Sequence, residues 1–334
     1  MSVDSNMRSG GRALAGFDPT TLGASLMRPE RIQSTAVWAA TALFALWATF
    51  AIPGFSSGAN IYAIMYSTSA VGIAAVGMAL ITLSGNLFML SMGATAAVST
   101  ILFASFLHYG LFPSVAMVVL IGGLFGLAQG IAVGLFRTNP IITTIAMASI
   151  ITGAGSFYSG GLTIVGQGDA SWLGVGRTLG LPNQILLFLL AAIVLSFIVE
   201  RTRFGRELRL IGLNPKAATF TGLRVGRTLV LAYMFAAMAA AFAGALYGSQ
   251  AAQGNLKLGA GLDFDAIAAV LVGGVAIKGG QGRVLDAAIG AVFLAMISNI
   301  LLLKGLSLEI QLIVKGLVVI GSVILGALAF GFRR

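Results

Sequence analysis

Runs of about 20 apolar residues, the length a helix needs to cross a bilayer, recur along almost the whole chain, separated by short polar breaks. They predict spans at 34–53, 61–83, 91–108, 112–136, 141–159, 184–200, 228–248, 266–278, 285–303 and 309–330. The expected fold is therefore an all-α integral membrane protein of about ten transmembrane helices. Residues 1–33 read as a polar N-terminal tail and 34–334 as a single transmembrane domain. So long a polar lead is unlike a cleavable signal peptide, and the first span is expected to stay as an anchor. The break at about 160–183 holds Gln167, Asp169, Trp172 and Arg177. It is too short for a domain and long enough for a docking surface or a short helix.

Composition agrees with the pattern. Apolar residues make up 58% and the mean hydropathy is +0.98, outside the range of soluble domains. The 45 glycines let helices approach closely in lipid, where small residues take over from the hydrophobic effect as the driver of packing. The absence of cysteine excludes disulfides and Cys-based metal sites. A net charge of +10 would suit nucleic acid, but its placement does not. Sixteen of the 20 Lys/Arg fall on the side that holds the N-terminus, against Arg177, Lys257 and Lys304 opposite and Lys315 within the last span. The positive-inside rule then puts both termini in the cytoplasm and makes membrane lipid, not nucleic acid, the partner of the charge.

The basic stretch from Arg201 to Arg224 carries six Lys/Arg, namely Arg201, Arg203, Arg206, Arg209, Lys216 and Arg224. Within it Asn214 suits an N-cap and Pro215 the first helical position, where a missing N–H costs nothing. Gly222 can close the helix in a left-handed conformation. The expectation is a short capped helix outside the membrane, offering Ala217, Ala218 and Phe220 to a partner's groove. The glycine cluster from Gly273 to Arg283 resembles a phosphate loop only superficially. No Gly-Lys pair occurs in the chain, so the motif that cradles nucleotide is missing, and ATP hydrolysis has to come from another chain. The glycines instead suit a break at the membrane face.

Asn86, Ser91, Gln129, Thr143, Thr144 and Asn299 are polar side chains at membrane depth. They either hydrogen-bond between helices or line a path for an uncharged, hydroxylated solute. Asp265 and Asp286 fall near predicted span ends, and Lys315 is expected to snorkel outward. Carriers driven by ion gradients usually place carboxylates in mid-span, so their scarcity speaks against that mode. His108 beside Tyr109 reads as an interfacial residue. No grouping for nucleophilic or metal catalysis is present, and no enzymatic activity is expected. Ile73-Ala-Ala-Val76 echoes Ile267-Ala-Ala-Val270, which a chain so rich in Ala and Val yields by chance.

Three motifs then carry a resemblance, over about residues 55–330. They are Thr202-Arg-Phe-Gly-Arg206 with Ile211-Gly-Leu-Asn-Pro215, Ala217-Ala218 and Thr221-Gly222; Asp265-Ala-Ile-Ala-Ala-Val270 with the glycines up to Arg283; and Asn139-Pro-Ile-Ile-Thr143. Together they resemble the permease subunit of a ribose-type bacterial ATP-binding-cassette importer. The resemblance implies a type II importer-like permease whose coupling segment, 201–227, docks into an ATPase through Arg203, Gly205, Arg206, Asn214, Pro215, Ala217, Ala218, Phe220 and Gly222. It implies no cofactor in this chain, ATP and magnesium being used by the partner. The implied partners are two cytoplasmic ATPase subunits, a periplasmic solute-binding protein and a second permease subunit, identical or related, in the bacterial inner membrane. One stretch departs from the family's Ser-Gly-Gly-Ile-Asp-Leu-Ser-Val-Gly. Here Ser84-Gly-Asn-Leu-Phe-Met-Leu-Ser-Met-Gly93 is one residue longer and lacks the Asp, and Gln129 stands where Asn is usual. The expected cargo is a small polar solute, a monosaccharide, and the alternative is an ion-coupled carrier of such a solute.

Overall fold

The computed structural model describes residues 29–331; the tail before Pro29 and the last three residues lie outside the described part. Ten helices coincide with the ten apolar runs, nine of them long and one, over Leu262–Val272, of only eleven residues. They are α1 (Pro29–Ala51), α2 (Gly58–Leu83), α3 (Met92–Phe106), α4 (Leu111–Gly134), α5 (Pro140–Ser159), α7 (Asn183–Arg201), α10 (Val225–Ala251), α11 (Leu262–Val272), α12 (Val284–Leu303) and α13 (Leu308–Gly331). Three short helices complete the set: α6 (Ser171–Gly174), α8 (Arg203–Leu213) and α9 (Pro215–Phe220). Two small antiparallel pairs, β1 (Ile164–Val165) with β4 (Gln253–Gly254) and β2 (Arg177–Thr178) with β3 (Leu181–Pro182), organise the ends opposite α8 and α9. Among the described residues eight helices are long and apolar enough to cross a membrane.

The centre is α10, which packs against α2, α3 and α4. It buries a strip of small side chains there, among them Ala236, Ala237, Ala240 and Ala241. A Cβ at Gly126 of α4 would lie 2.4 Å from the Tyr233 carbonyl oxygen of α10, so the two backbones touch through glycine. This is the close approach that small residues allow in lipid.

Packing partners repeat. The α4–α10 contact has its counterpart in α12–α2, α3–α10 in α11–α2, and α3–α5 in α11–α13, while α2–α10 maps onto itself. Helices α2–α5 and α10–α13 thus form two copies of one arrangement. Because α2 and α10 cross in opposite directions, the copies are inverted. The echo between Ile73-Ala-Ala-Val76 and Ile267-Ala-Ala-Val270 lies on α2 and α11, which are not equivalent in this repeat. The symmetry is seen in the packing of the helices.

The repeat corrects one expected span. The eighth apolar run, expected as a crossing over 266–278, is an eleven-residue helix over Leu262–Val272, about 16 Å long and half of what a bilayer requires. Residues 252–261 lead into it as a non-helical segment lying along α3: Asn255 N–H bonds Thr100 Oγ1 at 3.1 Å, and the Gly259 backbone lies against Ala96 and Ala97. The third run has the same form. Residues 84–91 turn back along α2, with Thr82 Oγ1 donating to the Leu87 carbonyl at 3.0 Å, before α3 begins at Met92. Both α3 and α11 therefore start within the membrane. Their first turns face one another, a Cβ at Gly93 lying 2.9 Å from Asp263 Oδ1.

Candidate functional site

The basic stretch folds as expected from its local signals. Asn214 Oδ1 accepts from Ala217 N–H at 3.0 Å, with Pro215 next to it at the first helical position. At the other end Gly222 adopts φ +81°. Gly222 N–H bonds Thr219 O at 3.1 Å, and Leu223 N–H reaches back to Ala218 O at 3.2 Å. The i to i+5 bond and the left-handed glycine together close α9. A helix of six residues, marginal in isolation, is held because both ends are satisfied.

Exposure divides the predicted coupling residues into two sets. Arg203, Arg206, Pro215, Ala217 and Phe220 are exposed, Phe220 by 90%. Ala218 is buried against Ile211 and Leu229, which corrects the expectation that it faces outward. Asn214 caps α9 with its side chain, so Ala218, four residues on, points at α8 and α10, while Ala217 and Phe220 point away. Gly205 is also internal: a Cβ there would sit 1.9 Å from the Val199 carbonyl oxygen, so glycine sets the α7–α8 corner. Gly212, which the motif contained without a role, proves to be the junction. A Cβ on it would lie 2.0 Å from Leu83 O and 2.5 Å from Gly280 N, while Gly280 N–H bonds Leu83 O at 2.8 Å. The corner thus touches both the segment that leads into α3 and the loop that follows α11.

Nearby, Arg283 Nε donates to Glu200 Oε1 at 3.1 Å, and that bond raises the arginine's pKa above its ordinary value. Being half-exposed, the pair contributes little to stability.

Of the six polar residues predicted along the spans only Ser91 and Gln129 are bonded to each other. Ser91 Oγ donates to Gln129 Oε1 at 2.6 Å, both fully buried, which ties the start of α3 to α4. Asn299 and Asn60 exchange amide hydrogen bonds of 2.9 and 2.8 Å between α12 and α2. Thr144 is buried and bonds Ile141 O. Thr143 bonds Asn139 O and Thr138 Oγ1 at the start of α5, and Asn139 caps that helix. Asn86, in the segment before α3, has a buried amide nitrogen with no partner.

What the sequence did not show is a cleft of about 610 Å³ between α2, α10, α11, α12 and α13. Tyr62, Tyr66, Tyr247, Gln250, Ser298, Asp265 and Lys315 supply its polar lining. Lys315 does not snorkel outward. Its Nζ donates to Asp265 Oδ1 at 2.8 Å, with only 20% and 30% of the two side chains exposed. Asp265 belongs to the first turn of a helix that begins at membrane depth, so the scarcity of intramembrane carboxylates expected from the sequence does not hold here. Tyr62 and Tyr66 donate to the carbonyls of Gly180 and Val175 at 3.0 and 3.1 Å, and the Arg177 guanidinium lies 3.9 Å over the Tyr62 ring. These contacts fasten the α6–β3 segment over one end of the cleft. Asp286, the other displaced carboxylate, accepts from Ser34 Oγ at 2.6 Å and Trp38 Nε1 at 3.2 Å, joining α1 to α12.

Comparison with known proteins bears on what such a chain does. Residues 60–323 match the family described as "Branched-chain amino acid transport system / permease component". The ribose import permease protein RbsC of Bacillus subtilis is 33% identical, with 82% of this chain and 86% of the relative covered. RbsC of Escherichia coli K12 is 29% identical over 81% of this chain and 87% of the relative. The L-arabinose transport system permease protein AraH of Escherichia coli K12 is 32% identical over 84% of this chain and 86% of the relative. No solved structure matches the chain significantly. Family membership, rather than the distribution of carboxylates, sets aside the ion-coupled alternative. The chain belongs to this permease family and is a transmembrane permease subunit of an ATP-binding-cassette importer.

Proposed function

We propose that the chain moves a small neutral sugar across the bacterial inner membrane, with α8 and α9 in the cytoplasm driven by an ATPase and the opposite face receiving solute from a periplasmic binding protein. The orientation rests on the sixteen Lys/Arg of the α8–α9 side. The cargo class rests on the relatives named for ribose and L-arabinose and on neutral polar groups at membrane depth. Two permease subunits and two ATPase subunits would make up the assembly, with ATP and magnesium bound by the ATPase. This chain would hold no cofactor.

The observation that carries the reading is the α8–α9 corner. Its outer side presents Phe220 and Ala217 on a helix with both ends satisfied, and its inner side, at Gly212, is in backbone contact with the segments flanking α3 and α11. A push on α9 therefore reaches α3 and α11 through rigid contacts rather than through frayed chain. Arg203 and Arg206, both exposed, would complement an acidic or polar rim on the ATPase and hold α8 at the anionic inner leaflet. Along the solute path, Asn86 with its unpartnered amide and Thr143 at the start of α5 would offer hydrogen bonds. Ser91 with Gln129, and Asn299 with Asn60, are read as holding helices together, and Thr144 as bonded within α5 to Ile141 O.

The test substitutes the exposed side of α9. Ala217→Glu and Phe220→Ala are expected to insert at normal levels, to lose the ATPase on co-purification and to abolish uptake in proteoliposomes. Asn214→Ala should weaken coupling through a cap worth on the order of 1 kcal/mol. Ala218→Glu should instead lower the yield of folded protein, because it forces a charge between α8, α9 and α10. Retention of both ATPase and uptake in Ala217→Glu and Phe220→Ala would remove α9 from the coupling role.

A further inference from the structure

The cleft between α2, α10, α11, α12 and α13 lies toward the face opposite α8 and α9. Tyr62 and Tyr66 are on the far half of α2, Tyr247 and Gln250 on the last turns of α10, and Ser298 two-thirds of the way along α12. An open cleft lined by an ion pair, an amide and hydroxyls cannot face hydrocarbon, where unsatisfied polar groups are costly. Its open side must meet water or another protein chain.

Three properties of the lining point to one ligand chemistry. The two charges, Asp265 and Lys315, are paired at 2.8 Å, so the cleft offers strong donors and acceptors with no net charge and favours neither anions nor cations. Tyr62, Tyr66 and Tyr247 add apolar ring faces beside those polar groups, a mixture that matches a molecule with apolar C–H faces and a rim of hydroxyls. Ser298 lines the cleft, and its hydroxyl, just beneath that surface, is buried without any hydrogen-bond partner. A buried hydroxyl left unpaired is costly, and a hydroxyl of a bound solute would satisfy it.

We infer that this cleft is a binding subsite for a neutral polyhydroxylated solute, a sugar of pentose size, in the half of the membrane facing the binding protein. The inference rests on the proposed importer function and adds a location and a recognition chemistry to it. The α6–β3 segment, fastened by Tyr62 and Tyr66 through Gly180 and Val175, then stands at the entrance of the subsite.

The chain has no cysteine, so single-cysteine labelling has a clean background. Ser298→Cys and, as a second variant tolerant of folding, Gln250→Cys at an exposed lining position are assembled with the ATPase and binding protein. Both react with a small methanethiosulfonate reagent without nucleotide. Lys304→Cys, exposed beyond α12 and outside the cleft, reports shielding by the binding protein alone. The probe is D-ribose or L-arabinose, whichever the native complex takes up faster. At ten times its dissociation constant it should slow modification at 298 and 250 about tenfold and leave 304 unchanged. Uptake of the probe without protection at 298 or 250, or with equal protection at 304, overturns the subsite while the importer function stands. Uptake of neither sugar overturns the cargo reading itself, and the subsite with it.

Discussion

Helices α3 and α11 are the same device used twice. Each begins inside the membrane after a non-helical lead, α3 packing against α10 and α11 against α2, and their first turns meet at Gly93 and Asp263. Their polar side chains are used differently. On α3, Thr95 bonds the Ser91 carbonyl, Thr100 bonds Ala97 O and Asn255 O, and Ser91 is committed to Gln129. On α11, Asp265 reaches across to Lys315 of α13 at the edge of an open cleft. On α3 these groups bond within the helix and to its neighbours, and on α11 the carboxylate forms an ion pair at the cleft. An inverted repeat thus fixes where two helices begin, while the side chains decide what each start is bonded to.

The shared part of the comparison should be the most fragile. Gly244 of α10 and Gly290 of α12 clamp α3 and α11, a Cβ at each lying 2.3 Å from Ala96 O and 2.0 Å from Ala269 O respectively. Gly244→Val and Gly290→Val are both expected to cost about 3 kcal/mol or more through overpacking, seen as loss of monodisperse protein. A tolerated Gly290→Val would mean that α11 is not clamped like α3.

The next effect separates the halves. Lys315→Met strands the Asp265 carboxylate at membrane depth and should destabilise by somewhat less than the roughly 3–5 kcal/mol of a fully buried pair. The double variant Asp265→Asn with Lys315→Met should recover thermal stability but not sugar uptake. Recovery of both would make the pair a helix tie and nothing more. Ser91→Ala, its opposite number on α3, strands the Gln129 carbonyl oxygen and should cost about 1–3 kcal/mol while KM for the solute stays unchanged. A changed KM would move α3 to the solute path.

Smaller still is the bond between Asn60 and Asn299. Asn299→Leu removes two interhelical bonds that average about 0.6 kcal/mol each in membranes; Asn60 Nδ2 keeps its bond to Phe55 O, and Asn60 Oδ1 loses its partner. The smallest effect concerns the exposed segment over the cleft. Asp169 accepts hydrogen bonds from Ser171, side chain first and backbone second, which hold its pKa below the ordinary carboxylate value. A lowered folded pKa means that this stabilisation is present above the unfolded pKa and is lost as pH falls through the folded one. Proteolysis of the 160–182 segment should therefore rise only in acid below the usual carboxylate range, and Asp169→Asn should remove that dependence.

By itself the sequence determined whatever depends on neighbours a few residues apart. Asn214, Pro215 and Gly222 closed α9 as their types require, and the apolar runs located ten elements. The charge distribution set an expected orientation, and the motifs around 202–222 and 265–283 pointed to the family. The tertiary structure decided the rest. Most of these helices are apolar around their whole circumference, so no stripe in the sequence marks which face meets which neighbour. That is why Lys315 read as snorkelling when its partner lay 50 residues away on another helix, and why Ala218 read as outward-facing when α8 and α10 cover it. The half-length of α11 was hidden because the apolar residues that follow it, Val275, Ala276 and Ile277, continue the run although they form a loop and not a helix. Depth, rotation and pairing between helices exist only once the helices are packed, and in this protein they define the cleft.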